Sequence, residues 1–357
     1  MKKSGRKLLL NILIALIAVI AISWDFANSL KNILAEGTFR YESQFDAVSS
    51  ATTRVAIVPS DYSALANPVS RTTNPTYEQI EAMVRKAIEL QGGINWLIKE
   101  GDKVMLKVNL CSETNGSGSG EVTDVRVVKA AIKIIDEIAH GKIHIMVAEG
   151  TPRTDDEPTS TGSKNVWKIA GYQNLLTDSY LSGIDFELVN LNGPITDLVE
   201  ITIPESKRTA APHKGKFHIH KKEAEADVYI SIPVLKIHDT GITNALKNQI
   251  GTAPGTYYGY NKIKGVDKNG VATPSKLIHD ANFPQVWTEE EIVDLSTIAG
   301  IDFVIVDAIM CLEKQKTYTS STQVRMNTIV AGNDPVAVDY VCAKLFCLNP
   351  DDVNHIE

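Results

Sequence analysis

Residues 102–150 read DKVMLKVNLCSETNGSGSGEVTDVRVVKAAIKIIDEIAHGKIHIMVAEG, and this stretch decides the fold. Its two ends, DKVMLKVNL and KIHIMVAEG, are short apolar runs without alternation, the pattern of strands buried on both faces. Between them Val125, Val128, Ile132 and Ile135 recur at intervals of three and four, which makes one apolar helical stripe, and Thr123 is placed to cap its start. Such a stripe must cover a sheet. Strand, helix and strand in this order predict parallel strands joined by a right-handed crossover.

Working outward, VAIVPSD (55–61) reads as a strand and TYEQIEAMVRKAIELQGGINWLIKE (76–100) as a helix, so the first half is a β-α-β-α-β run: α/β, doubly wound, with a largely parallel sheet. Later strands are expected at FELVNLN (186–192), VEITIP (199–204), KFHIHKK (216–222), ADVYISIPVLKIH (226–238), IDFVIVDAI (301–309) and NTIVAGN (327–333). They mix hairpin-like and crossover connections, which predicts a mixed sheet or second lobe. Residues 251–276, with Tyr257, Tyr258 and Tyr260, lack any period and read as a lid or partner loop.

The first 27 residues stand apart. Lys2, Lys3, Arg6 and Lys7 precede an apolar run from Leu8 to Trp24, long enough for a transmembrane helix at its lower limit. Positive charge before the run puts the N-terminus inside and the body outside the cytoplasm. Length favours a retained single-pass anchor. The small-x-small triplets Ala21-Ile22-Ser23 and Ala27-Asn28-Ser29 keep open the alternative of a cleaved signal and a secreted body. Residues 28–53 read as a stalk, and 54–357 as the α/β domain.

The whole chain carries a formal charge of −7, and since four of its positive charges precede residue 8, the exported body is more acidic still. An acidic body is a poor partner for nucleic acid or anionic lipid, and a small molecule or a protein fits better. Cys111, Cys311, Cys342 and Cys347 show no C-x-x-C spacing, and this chain alone is not expected to hold an iron–sulfur cluster. The bland reading of all four is small buried apolar side chains.

Ligands of open α/β sheets gather beyond the carboxyl ends of the parallel strands. At one such end alternation puts Lys107 and Asn109 on one face, before Cys111 and a loop holding Gly116, Gly118 and Gly120. At another, Lys236 and His238 share a face ahead of GITNALKNQ, read as a short helix with Thr243 one turn before Lys247 and Asn248 beside it. Two cations and an imidazole converging there favour an anion-binding site over ordinary solvated lysines. His218 and His220 form an H-x-H better explained by an exposed edge strand than by a metal. Asp334 and Pro335 read as cap and first residue of a helix with Val338, Val341, Cys342 and Leu345 as its stripe, whereas Asp339 falls beside that stripe without such a structural reason, a solvated carboxylate being the commonest alternative to a site role. Asp307 interrupts the apolar strand FVIVDAI, where an unpartnered carboxylate would be costly.

From about Arg54 onward the chain resembles the domain of unknown function 362 family, on VMLKVNL with its T-D helix, VAEG, ADVYISIPVLKIHDTGITNALKNQIG, KLIHD, FVIVDAI and AGNDPVAVDYVCAKL. The resemblance points to Lys107, Asn109, Lys236, His238, Lys247, Asn248, His279, Asp307, Asp334 and Asp339, and implies no particular reaction or cofactor. Many relatives carry a ferredoxin-like cysteine cluster that is missing here. The family pattern tends to run on past Glu357, so a final strand or helix is expected beyond it.

The leading expectation is an enzyme domain acting on a small anionic substrate outside the cytoplasm. Lys107, Asn109, Lys236, Lys247, Asn248, Asp334 and Asp339 would bind it, with His238, His279 and Asp307 as the catalytic groups. The alternatives are a non-catalytic ligand- or partner-binding module, and an electron-transfer accessory sharing a cluster across chains.

Overall fold

The computed structural model describes residues 53–153, 156–211, 213–238, 241–258, 285–313 and 322–356. The apolar run at Leu8–Trp24, the stalk, most of the 251–276 insertion and His279 lie outside the described residues. Among the described residues no helix is long and apolar enough to cross a membrane.

One sheet dominates: β1 (Ala56–Pro59), β2 (Lys103–Val108), β3 (His144–Glu149), β4 (Phe186–Asn190), β7 (Val228–Ile232), β8 (Val234–His238), β9 (Gly241–Thr243), β10 (Phe303–Glu313) and β11 (Thr322–Gly332). Its main order is β1-β11-β10-β7-β2-β3-β4. The neighbours from β10 through β7, β2 and β3 to β4 are parallel, whereas β11 runs antiparallel to both β1 and β10. β5 (Leu198–Thr202) and β6 (Lys216–His220) make a separate antiparallel pair. The fold is thus α/β with a mostly parallel, mixed sheet. β1 is not β2's neighbour: three strands separate them.

Helices cover both faces because β2 alternates into two cores. Val104, Leu106 and Val108 join the core under α1 (Tyr77–Leu90) and α2 (Val125–Ile138). Met105 joins the opposite core, with residues of α3 (Gln285–Ala299) and α4 (Pro335–Leu345). From β2 the chain crosses through α2 to β3 on one side, whereas β7 lies on β2's other side and leads away through α3 to β10. Strand order therefore reverses between β2 and β7, the position at which open α/β sheets take their ligands.

Several local expectations are corrected. Asp124, not Thr123, caps α2, its carboxylate accepting Arg126 N–H at 2.9 Å. The Thr123 hydroxyl accepts Asn109 N–H at 3.0 Å and donates to the Ile232 carbonyl at 2.7 Å, which ties the ends of β2 and β7 together. The strand at 226–238 breaks at Pro233, which has no N–H to offer a ladder. GITNALKNQ is no helix: β9 folds back on β8 with Thr243 opposite Lys236, and a short 3₁₀ segment follows at Lys247–Thr252. The helix begun at Tyr77 stops at Leu90, before Gly92 and Gly93, both at positive φ. Asp334 caps α4, as its position before Pro335 implies, accepting Ala337 N–H at 3.0 Å.

Candidate functional site

The reversal point is built from the last residues of β2 and the residues just beyond them. Alternation turns Lys107 to the face of Met105, and its side chain is fully buried. Its ammonium donates to the Val108 carbonyl at 2.7 Å, the Asn248 carbonyl at 3.0 Å and Glu149 Oε2 at 3.1 Å. The same Glu149 oxygen accepts Leu110 N–H at 2.9 Å, so the end of β3 clamps the end of β2. Gly251 lies against this pair, where a Cβ would stand 2.1 Å from Glu149 Oε1 and 2.7 Å from Lys107 Nζ. Only glycine fits there.

Burial pushes the Lys107 amine below its ordinary value, and the neighbouring Glu149 carboxylate opposes that shift. Glu223 is buried nearby, and loss of water pushes its carboxyl up to about 8 against the pull of Lys107. Burial thus favours the uncharged form of Glu223, and Glu149, 3.1 Å from the ammonium, is the carboxylate that pairs with the lysine.

Lys236, on β8, is 2 % exposed. Its ammonium donates to the Glu121 carbonyl at 2.6 Å, Cys111 Sγ at 2.9 Å and Asn109 Oδ1 at 3.1 Å. None of the three is a carboxylate. Asn109 then donates to Asn248 Oδ1 at 3.4 Å, and Asn248 donates to the Lys107 carbonyl at 2.9 Å. Lys107, Asn109, Lys236 and Asn248 thus share one polar network, although 141 residues separate the first from the last. Asn109 and Cys111 form its partly exposed rim.

The remaining predicted site residues take other posts. His238 is the partly exposed last residue of β8, two beyond Lys236, and Lys247 precedes Asn248 in the 3₁₀ segment. Neither lysine of the network is solvated, contrary to the ordinary expectation for lysines near strand ends. Asp339 is fully buried rather than solvated, and its two oxygens accept Ala245 N–H at 2.8 Å and Leu246 N–H at 3.1 Å. It clamps the turn that delivers Lys247 and Asn248, and burial pushes its carboxyl up to about 7. Asp307 accepts Asp124 N–H at 2.7 Å and Ile309 N–H at 3.0 Å, beneath the start of α2, with burial again raising it to about 7. Asp334 serves its helix. The H-x-H residues part company: the His218 ring stacks on Tyr257 at 3.9 Å, while buried His220 accepts Lys222 N–H at 3.2 Å. No group of three or more metal-ligating side chains is assembled among the described residues.

Cys111, Glu121, Glu149 and Glu223 belong to the site yet escaped the sequence reading. Signals existed for two of them: Cys111 follows Asn109 at the strand end, and Glu149 ends β3 within VAEG, where Ala148 pairs with Lys107 across the parallel ladder.

A family model described as "Domain of unknown function (DUF362)" matches residues 104–344, two thirds of the chain. A thylakoid-associated protein from Synechocystis is 24 % identical over 290 residues, covering 80 % of this chain and 76 % of that one. The lactate racemase apoprotein from Thermoanaerobacterium thermosaccharolyticum is similar at a TM-score of 0.44 and 12 % identity. That likeness covers 74 % of this chain, which spans about half (54 %) of the racemase.

Proposed function

As the chain belongs to the DUF362 family, we propose that it is an enzyme domain that binds and transforms a small anionic molecule at the carboxyl ends of β2 and β7. The observation that carries this reading is Lys236, a buried cation beside a partly exposed rim with no carboxylate among its three partners. Burying an unbalanced charge is costly, and an anion held at the rim offsets that cost. Lys107 is already balanced by Glu149, so it stiffens the floor instead of meeting the ligand. Lys247, adjacent to Asn248, and His238, two residues beyond Lys236, would supply further charge and a proton-transfer group.

The apolar run at Leu8–Trp24 would hold this domain at the outer face of a membrane. The relative's name ties that protein to thylakoids, which accords with membrane association.

A thermal-shift panel of inorganic phosphate, small carboxylates and neutral analogues tests the ligand class. Anions should raise the melting temperature of the full-length chain and neutral analogues should not. Lys236→Met, which keeps the volume and removes the charge, should abolish the response. A panel in which only neutral compounds stabilise the protein would refute the reading.

A further inference from the structure

One of the two partners that Lys236 meets at the rim is a sulfur. Cys111 Sγ receives the ammonium at 2.9 Å and itself donates to the Glu121 carbonyl at 3.2 Å, the same oxygen that Lys236 holds at 2.6 Å. Lysine and cysteine are thereby locked to one backbone atom, the lysine buried and the thiol partly exposed. The Glu121 carboxylate is turned to Asn115, whose amide it accepts at 2.9 Å.

A second feature lies on the same face. Thr243 sits directly opposite Lys236 in the antiparallel β8–β9 pair, so their side chains share a face. Its hydroxyl is buried, at 2 % residue exposure, and has no hydrogen-bond partner among the described residues. Buried hydroxyls are rarely left unpaired, and one on the same face as a cation can donate to an anion that the cation attracts. A thiol next to a lysine ammonium is the setting in which cysteines act as nucleophiles.

Resting on the reading of this site as one for small anions, we infer that Cys111 is its nucleophile. The substrate class is a small anionic electrophile, whose carboxylate or phosphate is drawn in by Lys236 and Thr243 so that an electrophilic carbon meets Sγ. In the covalent step a sulfur–carbon bond forms, the leaving group departs with its electron pair, and the thiol proton passes to solvent. Of the four cysteines Cys111 alone combines partial exposure with a cation: Cys311 and Cys342 are buried, and Cys347 is exposed at the end of α4.

Parallel alkylation of the full-length chain by iodoacetate and iodoacetamide tests this, since the reagents deliver nearly the same carbon with and without a negative charge. Peptide mass spectrometry follows each cysteine, and Cys347 serves as the internal reference. The iodoacetate-to-iodoacetamide rate ratio at Cys111 should exceed that at Cys347 by about tenfold, as a cationic cleft concentrates anions. Lys236→Gln should bring the two ratios together and Lys236→Arg should keep them apart; the arginine variant guards against misreading a folding defect. Equal ratios at the two cysteines in the unmodified chain, or a Cys111 that resists both reagents, would overturn the inference. A melting scan with inorganic phosphate on the same sample separates the causes. Stabilisation by phosphate beside an unreactive Cys111 refutes the nucleophile and leaves the anion site standing; no response in either refutes both.

Discussion

Single side chains at the reversal point carry opposite burdens. Lys107 and Glu149 form a salt bridge of 3.1 Å with side-chain exposures of 0 % and 4 %, so removing one partner strands the other charge in the interior. Lys107→Ala should therefore destabilise the domain by about 3–5 kcal/mol, read from urea unfolding, whereas an exposed pair such as Lys142–Glu100 should contribute under about 1 kcal/mol. Glu223 sets a pH dependence of its own. Its folded-state carboxyl stands near 8 against an ordinary 4.5, so between those values the folded chain binds the extra proton and stability falls as pH rises. Glu223→Gln should remove that decline, on the order of a few kcal/mol across the window, and unfolding curves from pH 5 to pH 9 would show it. An unchanged slope in the variant would assign the dependence elsewhere. Little of this was legible beforehand, because same-face spacing finds Lys107 and Asn109 but not the loop and helix segments that fold over them. Cys111 in particular looks like any small apolar residue until β8 brings Lys236 against it.

Whole elements were easier to read than the joints between them. The stripe of α2 and the Asp334-Pro335 start of α4 emerge from periodicity and cap chemistry, which act within a few residues. The turn before Asn248 was misread as helical because its deciding interactions lie far away, in Asp339 across 93 and 94 residues of chain. Gly251 belongs to the same class, since its requirement comes from Glu149 and Lys107 and not from a local turn. Gly251→Ala should cost about 1–3 kcal/mol of unfolding free energy, because neither buried neighbour can retreat without breaking the ion pair. A silent substitution there would mean that the 3₁₀ segment does not press on the strand ends.

At the scale of the molecule, the doubly wound class follows from the β-α-β pattern, while the order of strands does not. Nothing in VAIVPSD tells that β1 will pair with β11 at the sheet's edge, a contact between Ala56 and Ala331. The reversal between β2 and β7, which locates the candidate site, is likewise a property of the completed sheet. For the chain as a whole, the apolar N-terminal run predicts that cell fractionation recovers full-length protein with membranes. A soluble form beginning at Trp24 or Leu30 would mark the run as a cleaved signal instead. The proposed activity turns on one cation, Lys236. Mass spectrometry of the small molecules released from the gently purified full-length chain and from its Lys236→Met variant tests it most directly. A small anion should be released in near-stoichiometric amount from the unmodified protein and be lost from the variant. The same anion retained equally by both, or only neutral compounds bound, would contradict the proposal.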